Sequence, residues 1–347
     1  GIMKLHDEIL EQPDRLQKLF LNQRTNIENI AAQIKKRNVA YTYLAARGTS
    51  DNAGRYANYI WGAFNGMPMA LAVPSLFTYY QKPPRITNSL VVGISQSGQS
   101  PDIVSVINEG KRQGNLTLAI TNDIHSSITT KADFVIDIQS GPELAVAATK
   151  TYTCELMAIA MLSAALSENK DQWLELEKVS GWVRRVLQTD EEIANAAQRY
   201  RYMQHCVVLG RGFNYCTAFE WALKLKELTY TKAEPYSSAD FQHGPVAMVE
   251  QGFPILAVAP NGFLHDSFYT ILEDFKKTLN AELVIISNSR KILSLAQVPF
   301  AIPEDVPEWL SPLVSIVAAQ LFAYHLTMVK GFNPDQPRTI QKITETR

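Results

Sequence analysis

Glu220, Lys224 and Glu227 stand at i, i+4 and i+7 within a helical pattern over 216–230, so the three charges share one stripe and can interact. Ala218, Ala222, Leu225 and Thr229 form another face, flanked by Trp221 and Leu228. Sixteen positions after Glu227, His243 lies in a loop ahead of Gly244-Pro245. A carboxylate, a lysine and a histidine beside one sugar are a sufficient set for moving protons on it. The same stripe also fits a solvated ladder of ion pairs, and a single loop histidine also fits ordinary polar surface.

A second kind of chemistry is written into hydroxyl-rich loops. Ser95-Gln96-Ser97-Gly98-Gln99-Ser100 follows an apolar run and leads into Pro101-Asp102. Ser100 at the cap, proline at the first helical position and an acid in the first turn mark a helix start. Free backbone N–H groups and the helix dipole there favour an anion, and the serine hydroxyls add donors. A second such loop, Gly48-Thr49-Ser50, also leads from an apolar run into a helical pattern. A Ser/Gly/Gln loop can be a plain polar turn, but two at neighbouring strand ends point to a phosphate. Neither GxxxxGK[ST] nor a GxGxxG after the first strand is present, which argues against a nucleoside triphosphate or a dinucleotide.

The elements that must position these groups come in two sets. Apolar runs at Ala40–Ala46, Leu90–Ser95, Leu116–Thr121 and Phe134–Ile138 alternate with helical patterns at Asp51–Phe64, Pro101–Gln113 and His125–Lys131. Continuous apolar runs bounded by turn signals suit strands buried on both faces of a parallel sheet. The runs Cys206–Leu209, Ile255–Ala259, Leu283–Ser287 and Phe300–Pro303 repeat the plan at an offset of about 164 to 166 positions, the mark of a duplicated domain. The fold expected is α/β: two tandem doubly wound domains with parallel sheets flanked by helices, each with a ligand crevice at the carboxyl ends of its strands. The expected boundaries are an N-terminal helical arm over 1–37, a first domain over 38–168, connecting helices over 169–199, a second domain over 200–330 and an ordered tail over 331–347.

The totals narrow the function. The chain has 347 residues, a formal net charge of -1 and no long basic run, so a nucleic-acid partner is not expected. The apolar stretch around Met157–Leu166 falls short of the roughly 20 residues of a membrane span, and the start does not read as a signal peptide, so a cytoplasmic protein is expected. Cys154, Cys206 and Cys216 are scattered through apolar runs and read as buried thiols. The six histidines show no metal-ligand spacing, so no metal and no cofactor are expected.

Nearly the whole chain resembles the tandem sugar isomerase (SIS) domains that form the isomerase half of glucosamine-6-phosphate synthase. The resemblance is carried by Glu8-Ile9-Leu10-Glu11-Gln12-Pro13, GTS at 48–50, SQSG at 95–98 and GPELAVAATK at 141–150. It continues through GRG at 210–212, ALKLKEL at 222–228, HGP at 243–245 and DQPR at 335–338, followed by Lys342. It implies that Thr49, Ser50, Ser95, Gln96, Ser97 and Ser100 bind a hexose phosphate, with Val146 lining the sugar. Glu227 resembles the acid/base that moves a proton between carbons 1 and 2. His243 resembles the ring-opening residue, delivered from the second subunit of a homodimer. Lys342 resembles the tail lysine that forms a Schiff base with a ketose, and Lys224 a further lysine of the pocket.

Two departures bear on the reaction. Arg47 stands where the synthases carry a cysteine, and Ser97-Gly98-Gln99-Ser100-Pro101-Asp102 lacks their acidic, threonine-bearing version. Both changes are similar to the stand-alone SIS-type glucosamine-6-phosphate deaminases, and the chain begins where the isomerase half would begin, without a glutaminase part. The activity implied is conversion of glucosamine 6-phosphate to fructose 6-phosphate and ammonia. The alternatives are aldose–ketose isomerisation, synthase-like amination, cleavage of a fructosamine phosphate, or a regulator that binds the sugar phosphate without chemistry.

Overall fold

The apolar runs form two five-stranded, all-parallel sheets. The computed structural model describes residues 3–339. Lys4–Leu10 (α1) and Gln12–Arg37 (α2) open the chain. In the first sheet, Tyr41–Ala45 (β1), Met69–Leu71 (β2), Ser89–Ser95 (β3), Leu116–Thr121 (β4) and Phe134–Asp137 (β5) lie in the order β2-β1-β3-β4-β5. In the second, His205–Gly210 (β6), Lys232–Tyr236 (β7), Pro254–Val258 (β8), Glu282–Ser287 (β9) and Val298–Ala301 (β10) lie in the order β10-β9-β8-β6-β7. The two orders are the same once the copies are aligned, which establishes the duplicated doubly wound plan.

In this topology the strand order reverses between β1 and β3, and again between β6 and β8. Ligands of open α/β sheets bind outside the carboxyl ends of the strands at such switch points. The two hydroxyl loops follow β1 and β3, so the first copy presents both at its switch point.

Residues 3–13, 144–149 and 178–339 form one compact unit around the second sheet, and 14–143 with 150–177 form another around the first. In the latter, the helix Gly48–Asn65 packs against Lys150–Ser167, and Trp61 Nε1 donates to the Ile159 carbonyl at 3.2 Å. In the former, Tyr215–Thr229 packs against Ser311–Val329. This last helix corrects the reading that the longest apolar stretch is too short for a membrane: Glu308–Val329 is long and apolar enough. Of its most apolar window 83 % is buried, because it is the central core helix of its unit. The three cysteines are buried, as expected.

Candidate active site

The serine loop is shaped by glycine and closed by its own amides. Gly98 has φ +66°, a left-handed conformation, and a Cβ there would collide with Ser126 Oγ. Ser95 Oγ accepts from Gly98 N–H at 3.0 Å, and Ser97 Oγ accepts from Gln99 N–H at 3.2 Å. Neither bond uses the hydroxyl proton, so both serines keep a donor. Ser100 sits at the cap of the helix Pro101–Arg112, and its buried Oγ has no hydrogen-bond partner among the described residues. A buried hydroxyl without a partner costs about 1–3 kcal/mol, and an anion accepting from it would recover that cost. The Gln96 carbonyl accepts from Asn122 N–H at 3.3 Å, which pins the loop and leaves the Gln96 side chain unbonded among the described residues. We expect Gly98→Ala to cost about 1–2 kcal/mol from backbone conformation alone, plus the clash with Ser126. Thermal melts check this.

Ser50 and Thr49 lie in the first turn of Gly48–Asn65. Ser50 Oγ donates to Glu155 Oε2 at 2.9 Å, so its one proton is committed and only its lone pairs remain. Of the loop serines, Ser95, Ser97 and Ser100 therefore keep a hydroxyl proton that is uncommitted among the described residues. Thr49 is half-buried.

Arg47 adds a positive charge next to these loops. Its guanidinium pairs with Asp102, a carboxylate only 1 % exposed, while Arg47 itself is about half exposed. The second Asp102 oxygen is buried without a partner among the described residues. Arg47→Ala is expected to destabilise the protein by about 1–3 kcal/mol through the stranded carboxylate, and Arg47→Ala with Asp102→Asn to restore most of the loss. Denaturant unfolding of the single and double variants measures both.

In the other unit, the charged stripe departs from a solvated ladder. Lys224 Nζ lies 3.0 Å from Glu220 Oε2 and 3.3 Å from Glu227 Oε2. Lys224 is 1 % and Glu220 0 % exposed, whereas Glu227 is 24 % exposed. Burial alone disfavours the ammonium, but the Glu220 and then the Glu227 carboxylate outweigh it and hold Lys224 above the ordinary lysine range. Glu227 is thus the member of the stripe that faces solvent, held in place by a buried cation.

His243 is exposed at the end of the short helix Ser238–Gln242, its backbone N–H bonded to the Asp240 carbonyl at 3.2 Å, and its side chain is unbonded among the described residues. Val146 is half-buried in the segment 144–149. Sequence reasoning missed what fixes this segment: Glu8 of α1 accepts from Leu144 N–H at 2.6 Å and Ala145 N–H at 3.0 Å. Gln320 donates to the Thr149 carbonyl at 3.3 Å and accepts from Gln12 at 2.8 Å. A glutamate and a glutamine in the opening motif were the available signal. The start of the tail is docked too: Asp335 accepts from the Lys4 and Leu5 N–H groups at 3.1 Å, and Arg338 stacks 3.8 Å over the Tyr230 ring. Lys342 lies outside the described residues.

The SIS domain family model matches residues 36–165 and 201–330. The "Glutamine--fructose-6-phosphate aminotransferase [isomerizing]" of Aquifex aeolicus is 33 % identical over 343 residues, covering 96 % of this chain and 56 % of that protein. The chain thus spans about half the length of the curated relatives it matches. Among solved structures, the C-terminal domain of glucosamine-fructose-6-phosphate aminotransferase from Francisella tularensis superposes with a TM-score of 0.88 at 28 % identity, covering 97 % of this chain and 99 % of that one. A glucosamine-6-phosphate deaminase from Thermotoga maritima shares the fold, with a TM-score of 0.82 at 20 % identity over 99 % of this chain and 100 % of that one.

Proposed function

Because the chain belongs to the SIS domain family, with two copies of that domain, we propose that it acts on a sugar phosphate and is a glucosamine-6-phosphate deaminase. The observation that carries this reading is Glu227: a carboxylate open to solvent, yet fixed by the buried Lys224–Glu220 pair. A solvated ladder would leave such a group mobile, whereas a proton shuttle needs it held in one position.

In this reading Ser95, Ser97 and Ser100 bind the phosphate, with Thr49, Ser50 and Gln96 shaping the same loops and Arg47 adding charge. His243 assists ring opening to the free aldehyde. Glu227 takes the proton from carbon 2 and returns it to carbon 1, while the oxygen on carbon 1 gains a proton and the amino nitrogen loses one, which converts the amino-aldehyde to an imine at carbon 2. Water adds to that imine, directly or after exchange with the Lys342 amine, and ammonia leaves, giving fructose 6-phosphate. One water is consumed for each ammonia released. Val146 lines the sugar, and the protein works as a cytoplasmic homodimer in which His243 serves the second subunit.

A second reading is favoured by the 33 % identity to an isomerizing aminotransferase: the same proton transfer run as isomerisation of a sugar phosphate, without loss of ammonia. The discriminating experiment supplies glucosamine 6-phosphate, galactosamine 6-phosphate and a phosphorylated fructosamine in turn. A parallel incubation contains fructose 6-phosphate. Ammonia from glucosamine 6-phosphate supports the deaminase. Sugar interconversion without ammonia supports the second reading and removes the first.

A further inference from the structure

His6, Asp190 and His325 are 184 and 135 positions apart in their two pairings, yet the fold brings their ligand atoms within 4.8 Å of one another. His6 lies on α1, Asp190 opens the helix Asp190–Ala197, and His325 lies on Ser311–Val329, all in one compact unit. His6 Nε2 is 2.8 Å from Asp190 Oδ2, and His325 Nε2 is 2.6 Å from Asp190 Oδ1. So both imidazoles turn the same nitrogen toward one carboxylate.

We propose that these three side chains form a binding site for a first-row divalent cation of the zinc type, with any remaining coordination position open to water. Two imidazoles and a carboxylate are donors that zinc, cobalt and nickel accept, whereas magnesium and calcium favour oxygen alone. Around zinc, bonds of about 2.0–2.2 Å place tetrahedral ligand atoms roughly 3.4 Å apart. The nitrogen–oxygen separations need to open by less than an ångström to admit the ion. The side chains are 24 %, 27 % and 15 % exposed, which leaves a path from solvent without dispersing the ligands.

The surrounding field favours a cation. Asp7 and Asp190 both act on His6, and Asp190, Asp335 and Asp7 act on the neighbouring Tyr324 hydroxyl. Burial works against ionisation of Asp190, but the hydrogen bonds from His325 and His6 outweigh it and hold its carboxyl below the usual carboxylate range. The Tyr324 ring stacks on His6 with centroids 4.7 Å apart, which fixes the imidazole plane. Binding is a ligand exchange: each Nε2–H···O bond is replaced by a bond to the ion, and the displaced proton moves to Nδ1 or to solvent. The absence of ligand spacing among the histidines along the chain is thus compensated by long-range packing. None of the three residues belongs to the set proposed to act on the sugar, so this inference stands apart from the proposed reaction.

The test uses the untagged full chain, stripped with a chelator and dialysed, then titrated with Zn²⁺ by calorimetry and with Co²⁺ by visible absorption. One ion per chain is expected, with the ligand-field bands of low-coordinate cobalt and a higher melting temperature of the unaltered protein in zinc. His325→Gln and Asp190→Asn should each weaken binding by at least the roughly 10–100-fold that changes in outer-shell partners cost. Lack of a stoichiometric ion, or an affinity in both variants equal to that of the unaltered protein, would overturn the site. So would a melting temperature of the unaltered protein that zinc leaves unchanged, a readout that holds even if a variant folds poorly.

Discussion

Glu227→Gln is expected to lower turnover of the amino-sugar phosphate by about 10²–10⁴-fold, the usual contribution of a positioned acid/base. KM should move little, because the amide keeps the size of the side chain and the phosphate contacts are untouched. Lys224 keeps Glu220 at 3.0 Å in this variant, so the buried charge stays paired and the fold is preserved. A melting temperature near that of the unaltered protein, alongside a collapsed kcat, separates a chemical role from a structural one. If KM rose and kcat held, Glu227 would be a binding residue and the proton shuttle would have to be sought elsewhere.

The largest stability effect is expected at Lys224. Lys224→Met removes the cation from a site where Glu220 has no exposure to water. Breaking a buried pair by deleting one partner costs about 3–5 kcal/mol, which corresponds to a fall of roughly 6–20 °C in Tm for a unit of this size. The sign of the pH response follows. Without the Lys224 ammonium, burial raises the folded pKa of Glu220 above the unfolded value. The protonated acid is then fully accommodated below the unfolded pKa, and stability is lost as pH rises through the folded pKa. Lys224→Met should therefore be least impaired in acid and most impaired at neutral pH. The double variant Glu220→Gln with Lys224→Met should recover most of the stability. Urea unfolding at two pH values for the three proteins checks the series.

The strands flanked by turn signals were legible because strands buried on both faces must be continuously apolar. Leu116–Thr121 and Ser89–Ser95 fall within a residue of the runs that announce them. β2 and β7 escaped the same test because each is the edge strand next to β1 or β6. Met69–Leu71 is short and largely exposed, and Lys232–Tyr236 carries a lysine, a glutamate and a proline. The first is apolar but only three residues long, the second is interrupted by charge and proline, and sheet pairing defines both. The spacing of Glu220, Lys224 and Glu227 was also legible, but not its burial. That burial comes from tertiary packing: Tyr215–Thr229 lies against β6, β7 and Ser311–Val329, and periodicity within one helix cannot show which faces distant elements cover. The His6–Asp190–His325 cluster has the same cause.

The loops show the converse. Gly98, Ser100 and Pro101 act locally, through one left-handed residue, one cap position and one helix start, so their arrangement could be read directly from residue order. Which hydroxyls are free was not readable, because it depends on Glu155 taking the Ser50 proton and on the loop amides turning to Ser95 and Ser97.

The account is tested most directly by supplying the purified protein with glucosamine 6-phosphate and measuring ammonia and fructose 6-phosphate together, with Glu227→Gln in parallel. It predicts equimolar release of the two products by the unaltered chain and a loss of about 10²–10⁴-fold in the variant. Ammonia release at the same rate by both proteins, or none from a sugar phosphate that demonstrably binds, would contradict it.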